Sequence, residues 1–369
     1  MRTRATPDAG FPSARIVVFV IGMRAMLLWR PAPLAEHPLP LEAADVAALT
    51  PAPRELLVRV SVCGVCRTDL DLAEGRLAAP AYPLIPGHQV VGRVAGVGAG
   101  ATGFREGDRV GVAWIHSACG RCRWCKTGAE NLCPQFQATG CDANGGYAEY
   151  LVVPAAFAYP IPHGLPDASV APLLCAGAIG WRSLRLTNLT DGEPLGLTGF
   201  GASAHLMLQT ARHRFPNSPV FVFARSAGER DFARQLGAAW TGDTTDEPPE
   251  PLAAIVDTTP AWKPVVEALA RLAPGGRLVI NAIRKESGDQ RELLRLDYPT
   301  HLWREREIKS VANVTRADVR EFLQAAAEMD LRPTVSEVPL LEANSALAWL
   351  RSGEAIRGAR VLRVADDDT

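Results

Sequence analysis

Residues 117–133 read SACGRCRWCKTGAENLC and hold four of the chain's eight cysteines, at spacing C-x2-C-x2-C-x7-C. Thiolates three residues apart on a turn converge, and a fourth nearby closes a tetrahedron. Cys119, Cys122, Cys125 and Cys133 are therefore the donor set of a structural Zn2+, coordinatively full and with no position left for a substrate. Four thiolates around a dication leave a negative excess, which Arg121, Arg123 and Lys126 would soften. The competing readings are idle reduced thiols and a redox relay, since CGRC and CRWC are each C-x-x-C. The relay lacks the strand–helix–strand context such motifs use. Three dispersed residues could form a second site: Cys66 in GVCRTD, His88 in PGHQ and Cys175 in LLCAG. Taken singly, each reads equally well as a small buried thiol or a turn histidine.

A third feature is LGLTGFGASAH, in which Gly199, Gly201 and Ala204 form G-x-G-x-x-A between a predicted strand and a predicted helix. In that context the pattern predicts a dinucleotide turn built from Gly199, Phe200, Gly201, Ala202 and Ala204. Gly199 permits the tight turn, Gly201 lets the backbone approach a pyrophosphate at the helix N-terminus, and Ala204 permits close helix–strand packing. The next strand ends VFVFARSAGER, with Ala224 and Arg225 where an acid would select NAD. A guanidinium accommodates a 2′-phosphate, so the cofactor is NADP or NAD with a lean to NADP.

Elements must position these residues. ELLVRVSVCGV (55–65) alternates with Val58, Val60 and Val62 on one face, a half-buried strand. RTDLDLAEG (67–75) reads as a short helix stopped by Gly75. Residues 83–112 are short β-rich runs punctuated by Gly and Pro, a compact antiparallel barrel, and YAEYLVVP (147–154) adds a strand. Past Pro172, strand and helix alternate: 195–201, 202–215, 220–225, 229–238, 253–259, 264–276 and 277–283. Such alternation predicts a parallel doubly wound sheet. A helix at ADVREFLQAAAEM and a final strand ARVLRV follow, then a solvated tail.

With 369 residues the chain is long enough for two domains, and its 39 basic and 40 acidic residues balance to a net charge of −1. Neither sign is in excess, so nucleic acid and anionic membranes are not expected partners. No apolar run approaches the ~20 residues that span a bilayer. IVVFVIG (16–22) is short and lacks a signal-type cleavage site; residues 1–22 read as a disordered extension, with the working chain starting near Met23. A cytoplasmic protein is expected, since clustered cysteines in a chain this long suit metal or catalytic use.

The order GVCRTD, PLIPGHQVVGRVAGVG, GDRVGV, the four-cysteine loop, GGYAEY, CAG and a glycine turn resembles the zinc-dependent alcohol dehydrogenases of the medium-chain dehydrogenase/reductase superfamily, over residues 24 to 364. The resemblance implies an α/β fold: a GroES-like barrel catalytic domain over 23–171, a Rossmann cofactor domain over 172–308, and a return to the catalytic domain over 309–369. It implies two Zn2+ per chain. One, catalytic, sits on Cys66, His88 and Cys175; the other is structural, on the four clustered cysteines. Two thiolates and a neutral imidazole cancel a dication's charge and leave a Lewis-acid position open. The implied reaction is hydride transfer between an alcohol or aldehyde and the nicotinamide. Thr68 would hydrogen-bond the substrate oxygen, although it reads equally as a helix-capping threonine. Arg67 would contact the cofactor phosphates, or else be an exposed helix charge.

Two positions depart from the family. Gln89 replaces the glutamate usual after the zinc histidine, which removes a charge near the metal and is expected to alter its acidity and ligand exchange. Asp71 replaces a histidine at the outer end of the proton relay. With an ordinary pKa of ~3.9 it is poorly matched to neutral pH, so the relay ends there or at water. Trp114 is expected to line the substrate pocket and Trp181 to pack. An apolar wall would suit aliphatic or aromatic primary alcohols. The alternatives are a zinc-stabilised NADPH-binding scaffold with little turnover and a zinc-free quinone or enoyl reductase of the same superfamily. A homo-oligomer, dimer or tetramer, is expected, with RLVINAI (277–283) as its edge strand.

Overall fold

The structure is a computed structural model that describes residues 22–352 and 358–365. Most of the expected N-terminal extension and the end of the tail lie outside them. Two sheets organise the chain. The first runs in the order Val335–Pro339, Ala359–Arg363, Glu55–Gly64, Val90–Val97, Arg109–Val112 and Ala158–Pro160, with Tyr150–Pro154 also paired to Glu55–Gly64. It is antiparallel except for its first pair. The alternation read in Glu55–Gly64 is realised: Leu56, Val58, Val60 and Val62 are buried while Arg59 and Ser61 are half-buried. One apolar cluster fills this half and extends to Phe322 and Leu323 of the helix Arg316–Glu328.

The second sheet is wholly parallel, in the order Trp240–Gly242, Val220–Phe223, Leu195–Thr198, Leu252–Asp257, Leu272–Ile280 and Glu307–Ser310. Separate apolar clusters cover its two faces. Strand order reverses between Leu195–Thr198 and Leu252–Asp257, which opens a crevice at their carboxyl ends.

Two expectations need correcting. RLVINAI is not an edge: residues 277–280 pair with Leu252–Asp257 on one side and Glu307–Ser310 on the other. Its apolar run, with Leu278 and Val279 fully buried, belongs to an interior strand, whereas the short polar EIKS forms the edge. The helix expected over 264–276 spans Lys263–Ala270, and the chain enters its strand at Leu272. Pro274 and the glycines after it cannot sustain the helix. Among the described residues no helix is long and apolar enough to cross a membrane.

Candidate active site

Each candidate metal ligand comes from a different element. Cys66 precedes the helix Arg67–Ala73, and Cys175 precedes the helix Ala176–Leu186. His88 follows Gly87, whose φ of +100° and contact with Tyr147 exclude a side chain: a Cβ there would meet the Tyr147 ring at 2.4 Å. The ligand atoms of Cys66, His88 and Cys175 lie within 4.8 Å of one another, and the two sulfurs are 4.0 Å apart.

The three groups perturb one another strongly. The Cys175 thiol holds the Cys66 sulfur well below the usual thiol range against burial, with His88 assisting. Cys66 and burial together push Cys175 well above it. Burial pushes His88 down, but Asp69 and Cys66 more than offset this and raise the ring to about 10. His88 Nε2 is fully buried and has no hydrogen-bond partner. Two sulfurs 4.0 Å apart beside a buried imidazole nitrogen without a partner fit a borderline-soft dication such as Zn2+.

Asp69 was not among the candidates from sequence, yet it organises the centre. It is buried, its Oδ2 accepts the Cys66 N–H at 2.8 Å and the Tyr147 O–H at 3.1 Å, and its Oδ1 lies 3.2 Å from His88 Nδ1. A carboxylate at Nδ1 leaves Nε2 as the ligating nitrogen. Its signal was an acid three residues after Cys66, the spacing of a helix N-terminal brace. Thr68 is buried with Oγ1 3.8 Å from the Cys66 sulfur. It is the second residue of the helix and not its cap, so its hydroxyl is left for the site. Trp114 meets the His88 ring edge-on at 4.8 Å, and its indole N–H is buried without a partner. Gln89 is buried, and its side chain lies against Gly64, where a Cβ would meet Oε1 at 2.4 Å.

Asp71 does not behave as a free relay end. Its Oδ1 accepts from Arg76 Nε at 2.6 Å and from Arg284 Nη2 at 3.2 Å.

The second cluster, Cys119, Cys122, Cys125 and Cys133, also converges within 4.8 Å. Main-chain N–H groups of Cys119 and Gln135 point at the Cys133 sulfur (3.4 and 3.3 Å), and that of Cys122 at Cys119 (3.4 Å). Main-chain N–H groups at Arg121 and Cys122 pull Cys119 down to about 6. Four converging sulfurs, two of them accepting main-chain N–H groups, fit a four-sulfur Zn2+.

At the crevice, Gly199 takes φ +77°, and a Cβ would meet Thr258 Oγ1 and Thr259 Cγ2 at 2.9 Å. Gly201 precedes the helix Ala202–Arg214 with open space around it and no side-chain cap. The helix N–H groups are thereby left for an anion. Phe200 and Ala204 are buried against the sheet, while Ala202 is exposed at the helix start. Ser203 Oγ donates to Ala176 O at 2.9 Å, which ties the glycine turn to the helix that carries Cys175. Arg67 and Arg225 are exposed, and neither guanidinium meets a partner among the described residues. Arg230, also unforeseen, folds across the strand end to donate to Ala224 O at 2.6 Å and Arg225 O at 2.9 Å.

Residues 52–163 match the alcohol dehydrogenase GroES-like domain family. A probable alcohol dehydrogenase AdhA from Mycobacterium tuberculosis is 46% identical over 347 residues, covering 93% of this chain and 97% of that protein. A thermostable alcohol dehydrogenase from Pyrobaculum aerophilum superposes with a TM-score of 0.81 at 26% identity, over 93% of this chain and 99% of that one. It has also been solved with cobalt and zinc bound. The CAD of Helicobacter pylori, solved with NADP(H), shares the fold with a TM-score of 0.80 at 23% identity, over 92% of this chain and 97% of that one.

Proposed function

The chain belongs to the zinc-dependent alcohol dehydrogenases of the medium-chain dehydrogenase/reductase superfamily, and from that premise we propose that it moves hydride between a primary or small secondary alcohol and NADP, at a centre of Cys66, His88 and Cys175. The observation that carries this reading is the meeting of two sulfurs with a buried, unpartnered imidazole nitrogen. When bound, zinc on those ligands supplies Lewis acidity at the substrate oxygen and the nicotinamide accepts the hydride.

The chain's own residues do the rest. Asp69 holds His88 in the ligating tautomer. Thr68 hydrogen-bonds the substrate oxygen and takes its proton outward, and the path ends at water because Asp71 is engaged by two arginines. Trp114 walls the pocket and keeps it apolar, which favours aliphatic or aromatic primary alcohols. The glycine turn, Gly199 to Ala204, receives the pyrophosphate, with Arg67 adding charge. Arg225 meets a 2′-phosphate at a strand end that carries no acid. A second zinc on Cys119, Cys122, Cys125 and Cys133 braces the catalytic domain, which we take as residues 23–171 and 309–369 around a cofactor domain of 172–308. All eight cysteines are free, which suits a cytoplasmic enzyme.

Metal content of the wild type and of Cys66→Ala, measured with alcohol oxidation using NADP and NAD, tests the reading. Two zincs per chain falling to one, with activity lost, is the expected result. An unchanged metal count, or a strong preference for NAD, would overturn the ligand or the cofactor assignment respectively.

A further inference from the structure

The run Asn281–Glu286 leaves the parallel sheet after Ile280 and is bound tightly to its own half of the molecule. Asn281 N–H donates to Asp257 O at 2.8 Å, and its side chain donates to Ser183 Oγ at 2.8 Å. Glu286 N–H donates to Pro260 O at 2.8 Å. Lys285 Nζ is paired with the fully buried carboxylate of Asp257 and donates to Thr259 O at 2.8 Å and Ala261 O at 2.9 Å. Asp257 also accepts from Thr198 Oγ1 at 2.6 Å, so the run is anchored at the two strands whose ends form the cofactor crevice.

Arg284 turns the other way, although its Nη2 also keeps Glu286 Oε1 of the same run at 3.5 Å. Its Nη2 lies 3.2 Å from Oδ1 of Asp71, on the helix that Cys66 begins and Thr68 belongs to. Asp71 is only 2% exposed, and Arg284 Nε is buried with no partner. A guanidinium that leaves one N–H unsatisfied in order to reach a buried carboxylate is held in place and is not a loose surface charge. The run starts at the carboxyl end of the strand paired to Leu252–Asp257, and Asp71 lies in the helix that follows Cys66, so the pair ties the sheet end at the crevice to the helix at the metal centre.

We propose that the Arg284–Asp71 pair is an ionic latch that joins the two halves across the cofactor crevice and sets the rate of cofactor release. The proposal rests on the assignment of that crevice to a nicotinamide nucleotide. Arg284 is a positioning residue here: it acts through Asp71 and the helix that carries the metal ligand. Because Asp71 keeps Arg76 at 2.6 Å, removal of Arg284 does not strand the carboxylate, and Arg284→Gln should fold.

The test is stopped-flow release of NADPH, followed by energy transfer from tryptophan, from the zinc-loaded full chain. Wild type, Arg284→Gln, Asp71→Asn and the double variant are compared at low and high salt. Each single variant is expected to speed release about fivefold, the size an ion pair of this exposure gives. The double variant should match the singles, and added salt, which weakens the phosphate contacts in every variant, should speed release more in the wild type than in the double variant. Unchanged release in Arg284→Gln overturns the latch. So does slower release in Asp71→Asn, which would mean that Arg284 holds the cofactor itself. A wild type that binds neither NADPH nor NADH removes both the latch and the crevice assignment; binding that does not depend on Arg284 removes the latch alone.

Discussion

Asp69 holds three groups at once: the Cys66 main chain, the Tyr147 hydroxyl and the His88 ring. Carboxylates behind a ligating histidine fix its tautomer and raise its basicity, and their loss typically weakens metal binding about 10–100-fold. Asp69→Ala is therefore expected to weaken the proposed zinc site at Cys66, His88 and Cys175 by that factor and leave the proposed four-cysteine site unchanged, measured by competition with a chromogenic chelator. Equal loss at both sites would mean general unfolding and not a ligand-specific role. Tyr147→Phe removes one donor and should give a smaller loss at the same site. At this scale the sequence was legible only where chemistry marks a residue type. The crowded cysteines announce a metal by themselves. Cys66, His88 and Cys175 are anonymous singly and were joined by the order of motifs around them. Asp69 and Tyr147 went unread because their partnership spans two distant segments, and nothing local in GGYAEY says where the hydroxyl will point.

The four-cysteine lobe is docked on the helix Arg316–Glu328 and does not stand free. Glu130 Oε1 accepts from the Arg316 main chain at 3.0 Å and from its side chain at 2.9 Å, and Asn131 donates to Ala312 O at 2.6 Å. Burial pushes the Glu130 carboxyl up, but the Arg316 bonds outweigh it and hold it below the usual glutamate value. A carboxyl lowered on folding stabilises fully above its unfolded pKa of ~4.3, and that contribution is lost as pH falls through the lowered folded value. Glu130→Gln should therefore lower Tm by about 2–4 °C at pH 7. The gap to wild type should narrow as pH drops below ~4. A gap independent of pH would show that Glu130 acts by shape and not by charge. Elements with a clean period were readable, as Glu55–Gly64 and Ala202–Arg214 illustrate. Glu307–Ser310 was not, because four residues with two charges carry no apolar signal, and its invisibility is what made the neighbouring apolar strand look like an edge.

For the whole molecule, the two-part plan was visible in the change from short β runs to strand–helix alternation, but assembly depends on which strand is left open, and only the sheet order reveals that. Glu307–Ser310 is exposed along its length and closes one side of the parallel sheet. Beside it in sequence, Tyr298 (60%), Trp303 (56%) and Leu302 (37%) are also exposed, and Ile308 itself is 45% exposed. An open edge next to aromatic surface is a template for another strand. A two-fold axis lets the same edge of a second copy pair with it, joining two six-stranded sheets into one. The prediction is that this strand is where two copies of the chain pair. Light scattering on the wild type should give a dimer or tetramer mass at micromolar concentration. Ile308→Lys combined with Trp303→Lys puts like charges on both sides of the axis and should reduce the mass to one chain while the far-UV circular dichroism stays native. A wild type that runs as a single chain, or a doubly substituted chain that keeps its mass, would move the contact elsewhere or remove it.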